Sequence, residues 1–366
     1  LNTERDFLEN FMLTENMWNG FFPEVYPSSK KDMSDPGFVN WSYWLMLELC
    51  DYYERSGDRD FMEKSRNRVT EFVQGILSLR KEHGLIETGR GEFVDWSLAN
   101  RDFALKPVSV SNNCLAVYML ERLGKLYDRE EWMETASEIR NIIGKLDSTS
   151  GILGGGGDGA VYVKGELKRN DCPSEGGRAL ELYSGFHRKD KLYIRQFLKA
   201  MGPCPEFRAD PNVAKANLFI GLMIRFAVLA ELDETEVLVR ELKDVYLEEL
   251  RVGSGTFFEN INAISGCHGF NGMAAALLKE KILGLGQPVE KDKTVLFKPN
   301  PCHLRWAEGT SVCSDGRILC KWQADHEEHQ LKVLLQIPKG WTMNFERVFA
   351  LKGWAVIINE ETVSDK

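Results

Sequence analysis

Two short segments of the chain combine carboxylates with aromatic side chains in a way that suits work on a sugar. Phe93-Val94-Asp95-Trp96-Ser97 places an acid beside an indole, where the ring can stack on a pyranose while the carboxylate accepts its hydroxyls. In Thr256-Phe257-Phe258-Glu259-Asn260 a Glu follows two aromatics, a setting in which a carboxylate is tuned for general base work. The plain alternatives stay open: Trp96 as a packing residue with Asp95 capping the next helix, and Glu259 as an ordinary acid near a helix start. Cys267-His268-Gly269-Phe270 places His268 at the start of an apolar helix, where the dipole favours neutral imidazole, able to bond a hydroxyl or simply to begin the helix. Phe38-Val39-Asn40-Trp41-Ser42-Tyr43-Trp44 adds aromatics on the same expected face, whereas Trp44 and Tyr52 have the helical spacing of core residues. The run Gly154–Gly157 lacks the Lys-Ser/Thr and the strand–helix context of a phosphate loop. Ser174 and Glu175 read as the start of a helix.

Loops that bring such residues together need a scaffold, and the periodicity supplies one. Ten candidate helices, at 1–13, 38–56, 60–80, 111–128, 131–146, 174–187, 190–201, 212–231, 234–250 and 267–283, occupy the first 284 residues. Very short turns at Ser56-Gly57-Asp58, Asp128-Arg129, Arg188-Lys189 and Leu232-Asp233 join them into antiparallel hairpins, and longer loops rich in Gly, Trp, Asp and Asn join hairpin to hairpin. This is the plan of a ring of hairpins with one functional face, an (α/α)6 barrel short of its N-terminal helices. After Pro288 the period becomes two, in Thr294–Phe297, Arg317–Trp322, Gln330–Leu335 and Ala355–Ile358, with a hairpin turn at Ser314-Asp315-Gly316-Arg317. The expected division is a barrel domain over 1–286 and a small antiparallel β-sandwich over 287–366.

Composition narrows the function. The chain of 366 residues has 46 basic and 55 acidic side chains, a net charge of −9, and no Lys/Arg block, which argues against nucleic-acid binding. No apolar run is long enough for a transmembrane helix. Eight cysteines are scattered without metal-ligand spacing, so no zinc site or other cofactor is expected; buried free thiols favour a reducing, cytoplasmic setting. The start at Leu1, already inside a helical pattern, is expected to be that of a fragment.

The motifs in their order resemble bacterial α-L-rhamnosidases of glycoside hydrolase family seventy-eight along nearly the whole chain. The resemblance runs through Pro23-Glu24-Val25-Tyr26-Pro27, Phe38-Val39-Asn40-Trp41-Ser42, Tyr52-Tyr53 ahead of Ser56-Gly57-Asp58, Phe93-Val94-Asp95-Trp96, Thr256-Phe257-Phe258-Glu259 and Cys267-His268-Gly269-Phe270. It continues in Leu283-Gly284-Leu285 and Ile337-Pro338. It implies an (α/α)6 barrel and inverting hydrolysis of terminal α-L-rhamnosides, with an acid and a base roughly 6.5–9.5 Å apart. Glu259 matches the general base, and Trp96 and His268 match sugar-contacting residues. Asp95, Asn40 and Trp41 join them as substrate-binding candidates, although Asp is more usual than Asn at position 40. The general acid of the family lies in a stretch resembling Asp-Cys-Pro-x-Arg-Glu-x-x-Gly-Trp upstream of the part matching Leu1. The segment Asp171-Cys172-Pro173-Ser174-Glu175 lacks its Arg-Glu and Gly-Trp and falls in the wrong place. A missing N-terminal segment supplied by another chain, or self-association, is therefore expected. The rival readings are another (α/α)6 glycosidase with a different sugar, and a non-catalytic carbohydrate-binding relic. On this reading the 366-residue chain by itself releases little or no aryl alcohol from an aryl α-L-rhamnoside, and normal turnover would contradict it.

Overall fold

A computed structural model describes residues 1–14, 17–26, 37–89, 91–146, 156–203, 213–252, 255–261 and 265–362. Pro27, Arg90, Gly154, Gly155 and Ser254, which belong to segments singled out above, lie outside them. The helices are α1 Asn2–Met12, α2 Trp41–Ser56, α3 Arg59–Leu77, α4 Asp102–Leu105, α5 Val110–Tyr127, α6 Glu130–Leu146, α7 Glu175–Tyr183, α8 Lys191–Lys199, α9 Met223–Glu231, α10 Thr235–Val252 and α11 Met273–Leu278.

The tight hairpin turns form for identifiable reasons. Gly57 and Asp128 take left-handed backbone and cap α2 and α5, and His187 and Asp233 adopt the same conformation in the two turns that follow. Asp58 then caps α3 by accepting from Phe61 N at 3.0 Å, and Asp190 caps α8 by accepting from Leu192 and Tyr193 N at 2.9 and 3.0 Å. Ser174 caps α7, accepting from Gly177 N at 2.9 Å.

Packing then runs round in order, α2 on α5, α5 on α7, α7 on α9 and α9 on α11. In the α2–α3, α5–α6 and α9–α10 hairpins the second helix packs on the first. The contrast in patterning follows from this. Helix α5 buries residues on all sides, Cys114, Leu115, Ala116 and Val117 among them, whereas α6 buries one stripe of Trp132, Ala136, Ile139 and Ile143. A cleft of about 580 Å³ lies between α1 and α2 on one side and α9 and α11 on the other, lined by Phe11, Trp44, Leu45, Met223 and Met273 among others. Glu48 is in its wall, and burial, with a hydrogen bond to Glu4, pushes its carboxyl up to about 7.

Charges are also buried where helices meet. Glu181 of α7 accepts from Arg178 at 3.0 and 3.1 Å, from Arg169 at 2.9 Å and from Tyr193 OH at 2.7 Å. Although burial pushes its carboxyl up, the two guanidiniums prevail and hold it well below the usual range. Arg225 of α9 forms a bidentate pair with Glu241 of α10, both contacts at 2.7 Å.

Three departures from the sequence expectation stand out. First, Leu218–Leu222 is not continuous α-helix: Phe219 is extended (φ −99°, ψ 111°), and regular helix begins only at Met223. The stretch expected as one helix over 267–283 is a 3-10 turn at Gly269–Gly272, α11, and a wide π turn at Lys279–Leu283. Second, a hairpin of β2 Gly159–Val163 and β3 Glu166–Arg169, with β1 Val108–Ser109 on its other edge, interrupts the helical series. Lys164 and Gly165 both have positive φ at its turn, the two-residue geometry that matches strand twist. Third, the C-terminal strands are not purely antiparallel. They are β4 Thr294–Phe297, β5 Trp306–Cys313, β6 Gly316–Asp325, β7 Gln330–Gln336, β8 Thr342–Phe345, β9 Ala355–Ile358 and β10 Glu361–Thr362. One sheet has the order β10-β9-β7-β6-β5, in which β7 and β9 are parallel, and β4 pairs in parallel with β8. After β7 the chain passes over to β8 before returning at β9, and a connection of that length permits parallel pairing where a tight hairpin cannot.

The core falls into two large clusters, one among the helices and one running from Ile282 to Ile358. Of the described cysteines, Cys50, Cys114, Cys313 and Cys320 are buried, whereas Cys267, expected with the buried set, is exposed because it lies on the loop before α11. Trp322 is fully buried and donates its indole N–H to Leu283 O at 3.2 Å, tying β6 to the turn that ends the helical series. Trp322→Ala is expected to lower unfolding free energy by about 3–5 kcal/mol. Trp322→Phe should cost less but still destabilise, because Leu283 O is left unpaired. Denaturant midpoints of the two variants check this.

Candidate active site

Three segments far apart in sequence meet beside the cleft. Trp96 donates its indole N–H to Glu259 Oε1 at 2.8 Å. The strip at residues 217–219 runs between their backbones: Trp96 N donates to Phe219 O at 3.2 Å, and Phe219 N donates to Glu259 O at 3.0 Å. Glu259 N is held by Ser265 O at 2.9 Å, and His268 N by Phe257 O at 2.8 Å. Glu259 is half-buried and Trp96 is 42% exposed, so the pair faces outward.

Aromatic rings form the floor and wall. Phe219 contacts Trp41 and Phe93 at centroid distances of 5.7 and 5.8 Å, and His268 and Phe270 both at 4.8 Å. Phe93 also meets Trp96 edge-on at 5.0 Å. Trp41 and Phe219 line the cleft as well, so cleft and site share a wall. His268 is half-buried, and its Nδ1 is buried with no hydrogen-bond partner among the described residues.

The candidates named above thus separate into two groups. Trp96, Glu259, His268 and Trp41 are gathered around Phe219. Asp95 and Asn40 are close by but face inward, a correction to their reading as substrate-binding residues. Asn40 is almost wholly buried, accepts from Phe93 N at 2.9 Å and donates to Phe93 O at 2.8 Å, so its amide serves the backbone that carries the aromatic wall. Asp95 is fully buried and accepts from Asn217 N at 2.7 Å through Oδ2. It packs so tightly on the start of α9 that a β-carbon at Gly221 would fall 2.6 Å from Oδ2, which makes glycine necessary there. Burial pushes the Asp95 carboxyl well above its usual range, with the Glu175 carboxylate adding to the effect and the Asn217 N–H opposing it.

Phe219 and Asn217 are the residues that sequence reasoning missed. Asn217 followed by an apolar run is a helix-start signal, and it places that start five residues later than the periodicity did.

Chemically, one oxygen of Glu259 accepts an indole N–H, while the other has no hydrogen-bond donor among the described residues and can accept a proton. Beside it stand an exposed indole and an imidazole. That set suits activation of a water next to a sugar. Among the described residues no group of His, Cys, Asp and Glu is arranged to hold a metal ion.

Comparison with known proteins agrees with the resemblance. The bacterial α-L-rhamnosidase C-terminal domain matches residues 293–346. The fold is similar to the glycoside hydrolase family seventy-eight rhamnosidase of Bacillus sp. GL1, with a TM-score of 0.77 at 16% identity over 97% of this chain and 37% of that one. It is also similar to an α-L-rhamnosidase from Dictyoglumus thermophilum, with a TM-score of 0.62 at 16% identity over 88% of this chain and 36% of that one. A rhamnosidase from Klebsiella oxytoca with rhamnose bound gives a TM-score of 0.55 at 14% identity, over 76% of this chain and 53% of that one. No curated protein matches in sequence. The chain therefore spans little more than a third of the length of the first two structures it resembles.

The upward shift of the Asp95 carboxyl gives a test of this geometry. A carboxyl whose folded pKa is raised stabilises the fold most below its unfolded value near 3.9, and that contribution is lost as pH rises toward the folded value. Asp95→Asn mimics the protonated acid, so its stability relative to the parent should rise with pH above about 4, by up to about 1.4 kcal/mol per unit. Thermal melts between about pH 3 and 8 check this, and a pH-independent difference would contradict it. Residues 293–346 match the bacterial α-L-rhamnosidase C-terminal domain, and the fold of the chain is similar to that of part of a glycoside hydrolase family seventy-eight rhamnosidase.

Proposed function

We propose that this chain carries the base-bearing part of an inverting α-L-rhamnosidase site. The observation that carries the reading is the 2.8 Å bond from Trp96 to Glu259, which joins two motifs of the rhamnosidase resemblance across 163 residues of sequence. In this reading a terminal α-L-rhamnosyl ring lies against Trp96. Glu259 takes a proton from the water that attacks the anomeric carbon from the face opposite the leaving group. A carboxylic acid on the other face protonates the departing glycosidic oxygen. His268 hydrogen-bonds a ring hydroxyl, and Trp41 borders the same wall.

The acid comes from a segment outside these 366 residues. Asp95, the acid adjacent to Trp96 in sequence, is buried and turned inward, which leaves it unsuited to that role. The helices of residues 1–286 form an (α/α)6 barrel whose remaining inner helix fills the cleft between α2 and α11, and residues 287–366 form a second domain on its flank. The apolar lining of that cleft supports this placement.

Two measurements test the reading. Titrated with sugars, the chain should bind L-rhamnose in preference to D-glucose, and Trp96→Phe, which keeps a ring but loses the N–H, should weaken that binding. Combined with a segment that supplies the acid, it should hydrolyse an aryl α-L-rhamnoside, with Glu259→Gln lowering the rate by about 10²–10⁴ while binding is retained. Equal binding of both sugars, or full turnover with Gln at position 259, would refute the proposal.

A further inference from the structure

Asn217 is buried and makes more bonds than a helix cap requires. Its Oδ1 accepts from Leu218 N at 2.8 Å, capping the first amide of the turn that follows. The same oxygen accepts from Ile261 N at 2.8 Å, two residues beyond Glu259. Its Nδ2 donates to Trp96 O at 2.6 Å, and its own N–H goes to Asp95 Oδ2 at 2.7 Å. One amide side chain therefore grips both segments whose side chains form the Trp96–Glu259 bond, 121 residues away on one side and 44 on the other.

We propose that Asn217 is a positioning residue that sets the register of the Trp96 indole against the Glu259 carboxylate and thereby aims the free oxygen of Glu259. The physical ground is the steepness of hydrogen-bond geometry. A bond of 2.8 Å is lost when either segment slides by about 1 Å, and misplacement on that scale of a catalytic group costs about two decades in rate. The strip at 217–219 is the only route, among the described residues, by which backbone bonds connect the Trp96 and Glu259 segments. Of its five cross-links to them, two pass through the Asn217 side chain, one through the Asn217 N–H to Asp95, and two through the Phe219 backbone. The catalytic consequence rests on the rhamnosidase reading; the coupling itself does not.

The test reads the coupling directly. In the chain labelled with ¹⁵N at its tryptophan indoles, the Trp96 resonance is assigned by its loss in Trp96→Phe. It should move with pH as Glu259 titrates, and Glu259→Gln should abolish that movement. Asn217→Ala should also abolish it in a chain that still melts cooperatively. Asn217→Asp, which keeps both acceptor bonds, should restore part of it. If the alanine variant does not fold, Asn217→Ser decides, since its hydroxyl keeps the Leu218 cap without spanning to Trp96 O and Ile261 N. An indole signal that titrates unchanged in folded Asn217→Ala or Asn217→Ser overturns the proposal, as does a parent signal insensitive to Glu259→Gln. A purely structural role would lower the melting temperature and leave the titration intact. If the coupling behaves as stated but L-rhamnose shifts no signal, the positioning role stands and the rhamnosidase reading falls.

Discussion

Backbone amides that leave regular structure inside a protein must find partners, and beside this cleft they find one another. Trp96, Phe219 and Glu259 exchange main-chain bonds in a three-segment strip, and Asn40 and Asn217 supply side-chain amides where no main-chain partner is in reach. The rest of the site follows from that pairing. It sets the indole N–H against the carboxylate, turns Phe219 into the hub of the aromatic wall, and leaves the start of α9 without regular helix so that its residues can serve as the middle segment.

The acids around the site divide by environment rather than by residue type. Glu259 is half-exposed with one oxygen tied and one open, the state a proton acceptor needs. Asp95 is fully buried, where burial pushes its carboxyl well above the usual range, and it acts as a hydrogen-bonding strut against Asn217. Other buried ions join one element to another: Glu181 with its two arginines ties α7 to β3, and Arg225 with Glu241 ties α9 to α10. Such pairs add little net stability but are costly to break singly, which suits them to fixing how the elements meet.

Much of this was legible in the sequence. Helical periodicity located the hairpins, and the left-handed residues Gly57, Asp128 and Asp233 fall in the tight turns that the sequence marks out. Trp96 and Glu259 stood out because an acid with aromatic neighbours in a long loop has a chemical use. The misreadings have physical causes. Leu218-Phe219-Ile220 is apolar enough to continue a helix, but tertiary bonds to Trp96 and Glu259 hold it extended. The Lys164-Gly165 turn between Val161-Tyr162-Val163 and Glu166-Leu167-Lys168 is a two-residue hairpin signal of the kind recognised at Ser314-Asp315, overshadowed by the glycines before it. Nothing local distinguishes an Asn40 or Asp95 that faces a ligand from one that faces the main chain; burial decides, and burial is a property of the whole fold.

Site and cleft share Trp41 and Phe219, so whatever fills the cleft bears on the face where a sugar would lie. The most direct test of the central claim is a crystal structure of the chain grown with L-rhamnose. The account predicts the sugar against the Trp96 ring, a hydroxyl or bound water on the free oxygen of Glu259, and the Trp96–Glu259 bond intact. Rhamnose bound elsewhere, or a Glu259 carboxylate turned away from Trp96, would contradict it.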